Sequence, residues 1–200
     1  MTDHLLGGRI LDTVADAAPT PWPISGTALV LDHPFVSVRR DEVTTPDGQD
    51  VSRIVVQPHD AVAVLATDEA DRVLLVRHYR HAHRRKVVEI PAGVLDLAGE
   101  DALVAAQREL AEETGLVASS WRELIGFSTS VGHSTERVTI FRATGLTAAA
   151  GVDFVREAEE ADMEQVWVPL DAAVEAVLAG HISDSKTALA LLAVHAGERG

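Results

Sequence analysis

Apolar residues along this chain fall into short runs separated by turn-forming residues, and the spacing predicts strands before it predicts a helix. Phe35–Val43 and Val51–Gln57 are rich in β-branched residues. The link Thr44-Thr45-Pro46-Asp47-Gly48-Gln49-Asp50 carries a Pro-Asp-Gly turn, so the pair reads as a hairpin. Ala61–Thr67 is a short apolar strand, turned by Asp68-Glu69-Ala70-Asp71 into a strand over Arg72–His78. Val87–Ile90 is another, leading to Pro91-Ala92-Gly93. From Glu100 to Thr114 the period changes: Leu103, Ala106 and Leu110 recur at i, i+3 and i+7, the buried stripe of a helix that Gly115 ends. Trp121–Thr129 and Arg137–Thr144 read as strands, residues 145–162 as a polar loop, and Gln165–Val168 as a strand. Two helices close the pattern, Leu170–Ala179, stopped by Gly180, and Asp184–His195. Residues 1–24 give weak signals, with Pro19, Pro21 and Pro23 marking an extended stretch. Strands interleaved with helices predict an α/β fold.

The helix at 100–114 changes the picture, because Glu109, Glu112 and Glu113 fall within an arc of about 100° on one face. Like charges at such spacing destabilise a helix by about 0.2–0.5 kcal/mol per pair unless something neutralises them. A hard divalent cation would do so, since Mg²⁺ takes oxygen ligands from one or two carboxylates plus substrate phosphates. A solvated acidic face is the alternative. The stripe Leu103, Ala106, Leu110 is expected to point away from these acids, so that one helix serves both core and chemistry.

Composition narrows the function classes. Two hundred residues with 46% apolar content can form one sizeable domain. The absence of cysteine excludes disulfides, thiol catalysis and Cys-based zinc sites. Met1–Gly7 lacks a basic region, and no run approaches the ~18 apolar residues of a membrane span, so a soluble cytoplasmic protein without membrane contact is expected. A net charge of −14 argues against nucleic acid as a partner. Against that background Arg77-His78-Tyr79-Arg80-His81-Ala82-His83-Arg84-Arg85-Lys86 holds five of the 17 Lys and Arg, either a basic surface loop or an anchor for a polyanionic small molecule.

The order of these features resembles the Nudix box: Gly, five residues, Glu, seven residues, then Arg-Glu-apolar-x-Glu-Glu-x-Gly-apolar. Here Glu100 is followed by seven residues and the complete second half, Arg108 to Leu116, whereas six residues separate Gly93 from Glu100. The extra residue falls in the loop Val94-Leu95-Asp96-Leu97-Ala98-Gly99. Outside the box, Val76-Arg77-His78-Tyr79-Arg80-His81, Glu89-Ile90-Pro91-Ala92-Gly93 and Ile182-Ser183-Asp184-Ser185-Lys186-Thr187 are similar to bacterial, especially actinobacterial, ADP-ribose pyrophosphatases. One departure is Val131-Gly132-His133-Ser134, where that group often has a proline before Gly-Phe-Ser.

The resemblance implies a Nudix α/β/α sandwich around a mixed sheet over residues 58–200, preceded by a β-rich region at 1–57 that dimerises and contacts the adenosine side of substrate. It implies Mg²⁺, with Mn²⁺ as a substitute, held by Glu109, Glu113, Glu112 and the carbonyl of Ala92. Arg108 would hold the glutamates in place. Glu100 stands at the helix start, where a carboxylate suits the positive dipole end, a metal role being the alternative. The general base would come from the acidic loop after the box, Glu160 first and Glu159 second. Arg80, Arg84, Arg85, Tyr79 and Arg53 are the substrate-binding candidates. The implied reaction is metal-dependent hydrolysis of a nucleoside-diphosphate sugar by a homodimer, ADP-ribose giving AMP and ribose 5-phosphate. Another nucleotide sugar or dinucleotide, or a non-catalytic nucleotide sensor, are the alternatives.

Overall fold

The computed structural model describes Leu6 and residues 11–149 and 162–197. Its first unit is an antiparallel sheet in the order β1-β2-β3, from β1 (Ile24–His33), β2 (Val36–Thr44) and β3 (Asp50–Pro58). The expected hairpin is β2–β3, with Thr44 opposite Asp50 across a turn in which Gly48 takes φ +82°. β1 is the strand that periodicity does not reveal: all ten residues are exposed, so no buried face imposes alternation on them. The main-chain amide of Val56 donates to His133 O (2.8 Å) and that of Thr135 to Val56 O (3.1 Å), which ties β3 to the Val131–Ser134 loop of the body.

The body holds two sheets. One is mixed, in the order β7-β4-β9-β8, from β4 (Ala61–Ala66), β7 (Ala92–Val94), β8 (Leu116–Ser128) and β9 (Arg137–Ala148), with β4 and β9 parallel. The other is antiparallel, β10-β5-β6, from β5 (Arg72–Arg80), β6 (Arg85–Glu89) and β10 (Glu164–Pro169). Alternation along β4 sends Ala63 and Leu65 one way, into a core with α2 (Leu170–Leu178) and α3 (Ser185–Gly197). Val62, Val64 and Ala66 point the other way, against Ala105, Ala106 and Leu110 of α1 (Ala102–Thr114). Helices therefore cover both faces, which is the α/β/α sandwich around a mixed sheet that the sequence implied.

Element boundaries shift from expectation by a few residues, and the differences around α1 bear on the site. β8 begins at Leu116, because Leu116–Ala118 already pair with Ala148–Leu146 of a longer β9. Ala92–Val94 form a short strand of their own, pairing with Ala63–Ala61 of β4. α1 begins at Ala102, capped by Asp101, whose carboxylate accepts from the amides of Leu103 (2.9 Å) and Val104 (3.4 Å). Glu100 thus does not cap the helix, and its carboxylate is used elsewhere. At the other end Gly115, at φ +69°, donates its amide to Ala111 O and lets the chain turn straight into β8.

Candidate functional site

β7 and the last two turns of α1 meet at Gly93. A Cβ built there would overlap the Glu109 carboxylate, so the missing side chain is what admits that acid to the loop. One residue earlier the amide of Ala92 donates to Glu113 Oε2 (3.1 Å), while Pro91 O accepts from Val64 N (2.8 Å) and pins the loop to β4. Glu113 is only 5% exposed. The expected division of α1 into an apolar stripe and an opposed acidic face is therefore too simple. Leu110 and Glu113 lie about 60° apart on the helix, and both turn inward.

Arg108 gathers the remaining acids. Its Nε and Nη2 donate to the two oxygens of Glu100 (3.1 and 3.0 Å), and its Nη1 donates to Glu109 Oε1 (2.6 Å) and Glu112 Oε2 (3.0 Å). The hydrogen bond with Glu100, foremost among these, raises the guanidinium's proton affinity further, so it is a permanent cation here. Glu100 is accordingly a partner of Arg108. Among the described residues no three acidic or imidazole groups form a ready-made metal cage. The donor set nevertheless fits a hard divalent cation: Glu109 and Glu113 bring carboxylate oxygens to a loop that is bare of side chain at Gly93, and Glu112 shares Arg108 with Glu109.

In front of the loop runs a cleft with two arms that share Arg80, Glu136, Asp184, Ser185 and Lys186. The inner arm, about 380 Å³, follows Ala92-Gly93-Val94 between Phe127 and Val138. The outer arm, about 730 Å³, is lined by His81, His83, Glu89 and Ser183. Between them Arg80 donates Nε and Nη2 to Glu89 (2.7 and 2.8 Å), and Lys186 Nζ donates to Glu89 Oε2 (2.5 Å) and Asp184 Oδ1 (2.9 Å). Burial pushes the Glu89 carboxyl up, but Arg80 and Lys186 outweigh it and hold the group down at about 2.

The candidates distribute unevenly around this cleft. Arg80 lines both arms, and Arg85 stands near the outer one, donating to Ser183 Oγ (3.0 Å). Arg84 ends a 3₁₀ turn, His81–His83, in the left-handed region at φ 51° and is exposed. Tyr79, next to Arg80 on β5, points to the other face of the strand, its hydroxyl 3.5 Å from His81 Nδ1. Arg53 is exposed on β3, outside both arms, and donates to Ser52 O. His78 is buried, whereas His81 and His83 line the outer arm. Glu159 and Glu160 lie outside the described residues. Glu89, Asp184, Lys186 and Glu136 were not singled out by sequence reasoning. The strings 89–93 and 182–187 stood out by resemblance alone, and nothing in them shows that Lys186 meets Glu89 across 97 residues.

The NUDIX domain model matches residues 57–191. The chain belongs to the Nudix family. It is similar to the ADP-ribose pyrophosphatase of Mycobacterium tuberculosis, 42% identical over 160 residues that cover 80% of this chain and 76% of that protein. It is also similar to the methanol dehydrogenase activator of Bacillus methanolicus, 37% identical over 159 residues, 78% of this chain and 83% of the relative. The fold matches the crystal structure of an ADP compounds hydrolase with a TM-score of 0.76 at 21% identity, over 92% of this chain and 98% of that one. The span matched in this Nudix chain contains the loop at Gly93, the acids of α1 and both arms of the cleft.

Proposed function

We propose that the protein is an Mg²⁺-dependent hydrolase of nucleoside-diphosphate sugars, with ADP-ribose, cleaved to AMP and ribose 5-phosphate, as its leading substrate. The observation that carries this reading is the convergence of Glu109 on side-chain-free Gly93 and of Glu113 on the Ala92 amide, beside a cleft that contains Arg80 and Lys186. The likeness to a mycobacterial ADP-ribose pyrophosphatase over most of both chains supports the choice of substrate.

In this reading Glu109, Glu113 and Glu112, with the carbonyl of Ala92, hold the metal, and Mn²⁺ can replace Mg²⁺. The chemistry a divalent ion would supply there is neutralisation of diphosphate oxygens and a lowered pKa for water. Arg108 keeps Glu109 and Glu112 oriented through the bonds given above. Arg80 meets the anionic substrate from β5, and Arg84 and Arg85, just beyond it in the chain, are further cationic anchors for it. Glu160, with Glu159 second, is the proposed general base that accepts the proton of the attacking water. Residues 1–57 act as a dimerisation region and bring Arg53 to the partner's adenosine side. The exposed β1, with Leu29 at 63% and nearby Phe35 at 70%, supports a homodimer. The proposed place of action is the cytoplasm, consistent with a chain free of cysteine.

Purified protein is incubated with ADP-ribose, GDP-mannose, FAD and NADH, with Mg²⁺ or EDTA, and products are resolved by chromatography. Release of AMP from ADP-ribose that needs the metal and outpaces the others is expected. Faster turnover of another compound would keep the chemistry and replace the substrate. The similarity to an enzyme activator motivates one further reading, a nucleotide sensor acting on a partner. Binding without turnover across the panel would favour it.

A further inference from the structure

Glu89 is 3% exposed and lines the outer arm, yet it carries a full charge between Arg80 and Lys186, two cations that line both arms. Arg80 gives it both Nε–H and an Nη2–H in a fork, and Lys186 Nζ reaches the same Oε2. Lys186 is fixed in turn by Asp184 Oδ1. The other oxygen of Asp184 accepts from the amide and hydroxyl of Thr187 (2.9 and 2.6 Å), and that hydroxyl accepts from Ile90 N (2.8 Å). The cluster therefore runs from the end of β6 to the first turn of α3 and back again.

Compared with apolar residues of the same volume such a cluster adds little stability, because desolvating two cations and two anions cancels much of their attraction, although neutralising one member of it is costly. What it fixes is direction. A guanidinium holds five donors in one rigid plane. Two of Arg80's are used by Glu89, and the other three project away from that carboxylate, on a side chain that lines both arms. We propose that Glu89 and Lys186 are positioning residues that aim the free edge of Arg80 at the substrate's diphosphate, setting affinity rather than the chemical step. A preorganised donor spares the ordering cost that a free arginine incurs on binding. The identity of the anion rests on the hydrolase reading above; the positioning of Arg80 does not.

The test is a double-mutant cycle read in two ways: Kd for ADP-ribose and for inorganic pyrophosphate by calorimetry in EDTA, and KM and kcat with Mg²⁺. Glu89→Gln is expected to weaken ADP-ribose binding and raise KM about tenfold, with kcat held within about threefold. In an Arg80→Ala background the same substitution should change Kd by less than about twofold, because the residue it acts through is gone. Lys186→Met, which leaves the Arg80–Glu89 fork intact, should cost about threefold alone and nothing beside Arg80→Ala, and it carries the test if Glu89→Gln does not fold. Equal losses in both backgrounds, or a fall in kcat at constant KM, would overturn the proposal and make the cluster merely structural. Wild-type protein that binds ADP-ribose without cleaving it removes the hydrolase reading and leaves the cycle readable in Kd. Failure of both probes to bind overturns the positioning role itself.

Discussion

At Gly93 a single hydrogen decides whether a carboxylate can approach the loop. The backbone there is outside the left-handed region, so alanine could adopt it, but its Cβ would meet the Glu109 carboxylate. Gly93→Ala should therefore spare the fold and damage the metal site. Turnover is expected to fall about a hundredfold and to need about tenfold more Mg²⁺, with the melting temperature little changed. Activity close to wild type would mean that Glu109 is not where the ion is held. Arg108 makes the complementary case. It is the shared counter-charge of Glu100, Glu109 and Glu112, and without it three like charges face one another. In EDTA Arg108→Ala should lose on the order of 1–3 kcal/mol of stability, read from denaturant melts, and Mg²⁺ should restore more of it than it adds to wild type. An equal Mg²⁺ response in the two proteins would place the ion away from this cluster.

At the scale of elements, the ionic cluster that joins β6 to α3 makes stability depend on pH in a definite direction. Glu89 is held at about 2, below its ordinary 4.5, so the folded state binds its proton more weakly than the unfolded chain does. The stabilisation is fully present above pH ~4.5, declines as the pH falls, and is gone below about 2, a loss on the order of 3 kcal/mol. Glu89→Gln should flatten that part of the curve of melting temperature against pH, and an unchanged acid limb would assign the loss to other carboxylates. Sequence made α1 legible because its stripe, its acids and Gly115 all agree, and β2–β3 because the Pro-Asp-Gly turn fixes the register. The Glu89–Lys186–Asp184 cluster was not legible, since residues 97 apart acquire a shared site only when α3 folds back across the sheet. Asp101 and Glu100 show the same limit on a smaller scale. Either carboxylate could cap α1, and only the reach of Arg108 back along the helix assigns Glu100 to it.

At the scale of the whole molecule the N-terminal sheet ends in an exposed edge strand. β3 is fastened to the body through Val56, but β1 lies at the opposite edge of its sheet with every residue exposed. An exposed edge strand carrying Leu29, Val30 and Leu31 invites pairing or packing with another chain. Nothing in the strand's own pattern could show this beforehand, because a strand exposed along its whole length carries no alternation of buried and exposed positions. Light scattering is expected to give twice the chain mass, as an interface of roughly 1,200–2,000 Å² would require both copies of this sheet. Leu29→Asp should break that dimer while leaving the melting of the body nearly unchanged, since the side chain is already 63% exposed in the single chain. If Arg53 reaches the partner's cleft, the resulting monomer should also lose substrate affinity, and Arg53→Ala should reproduce that loss without changing the mass. A wild-type monomer, or a Leu29→Asp protein that remains dimeric and fully active, would leave β1 without its proposed partner and Arg53 without a route to the substrate.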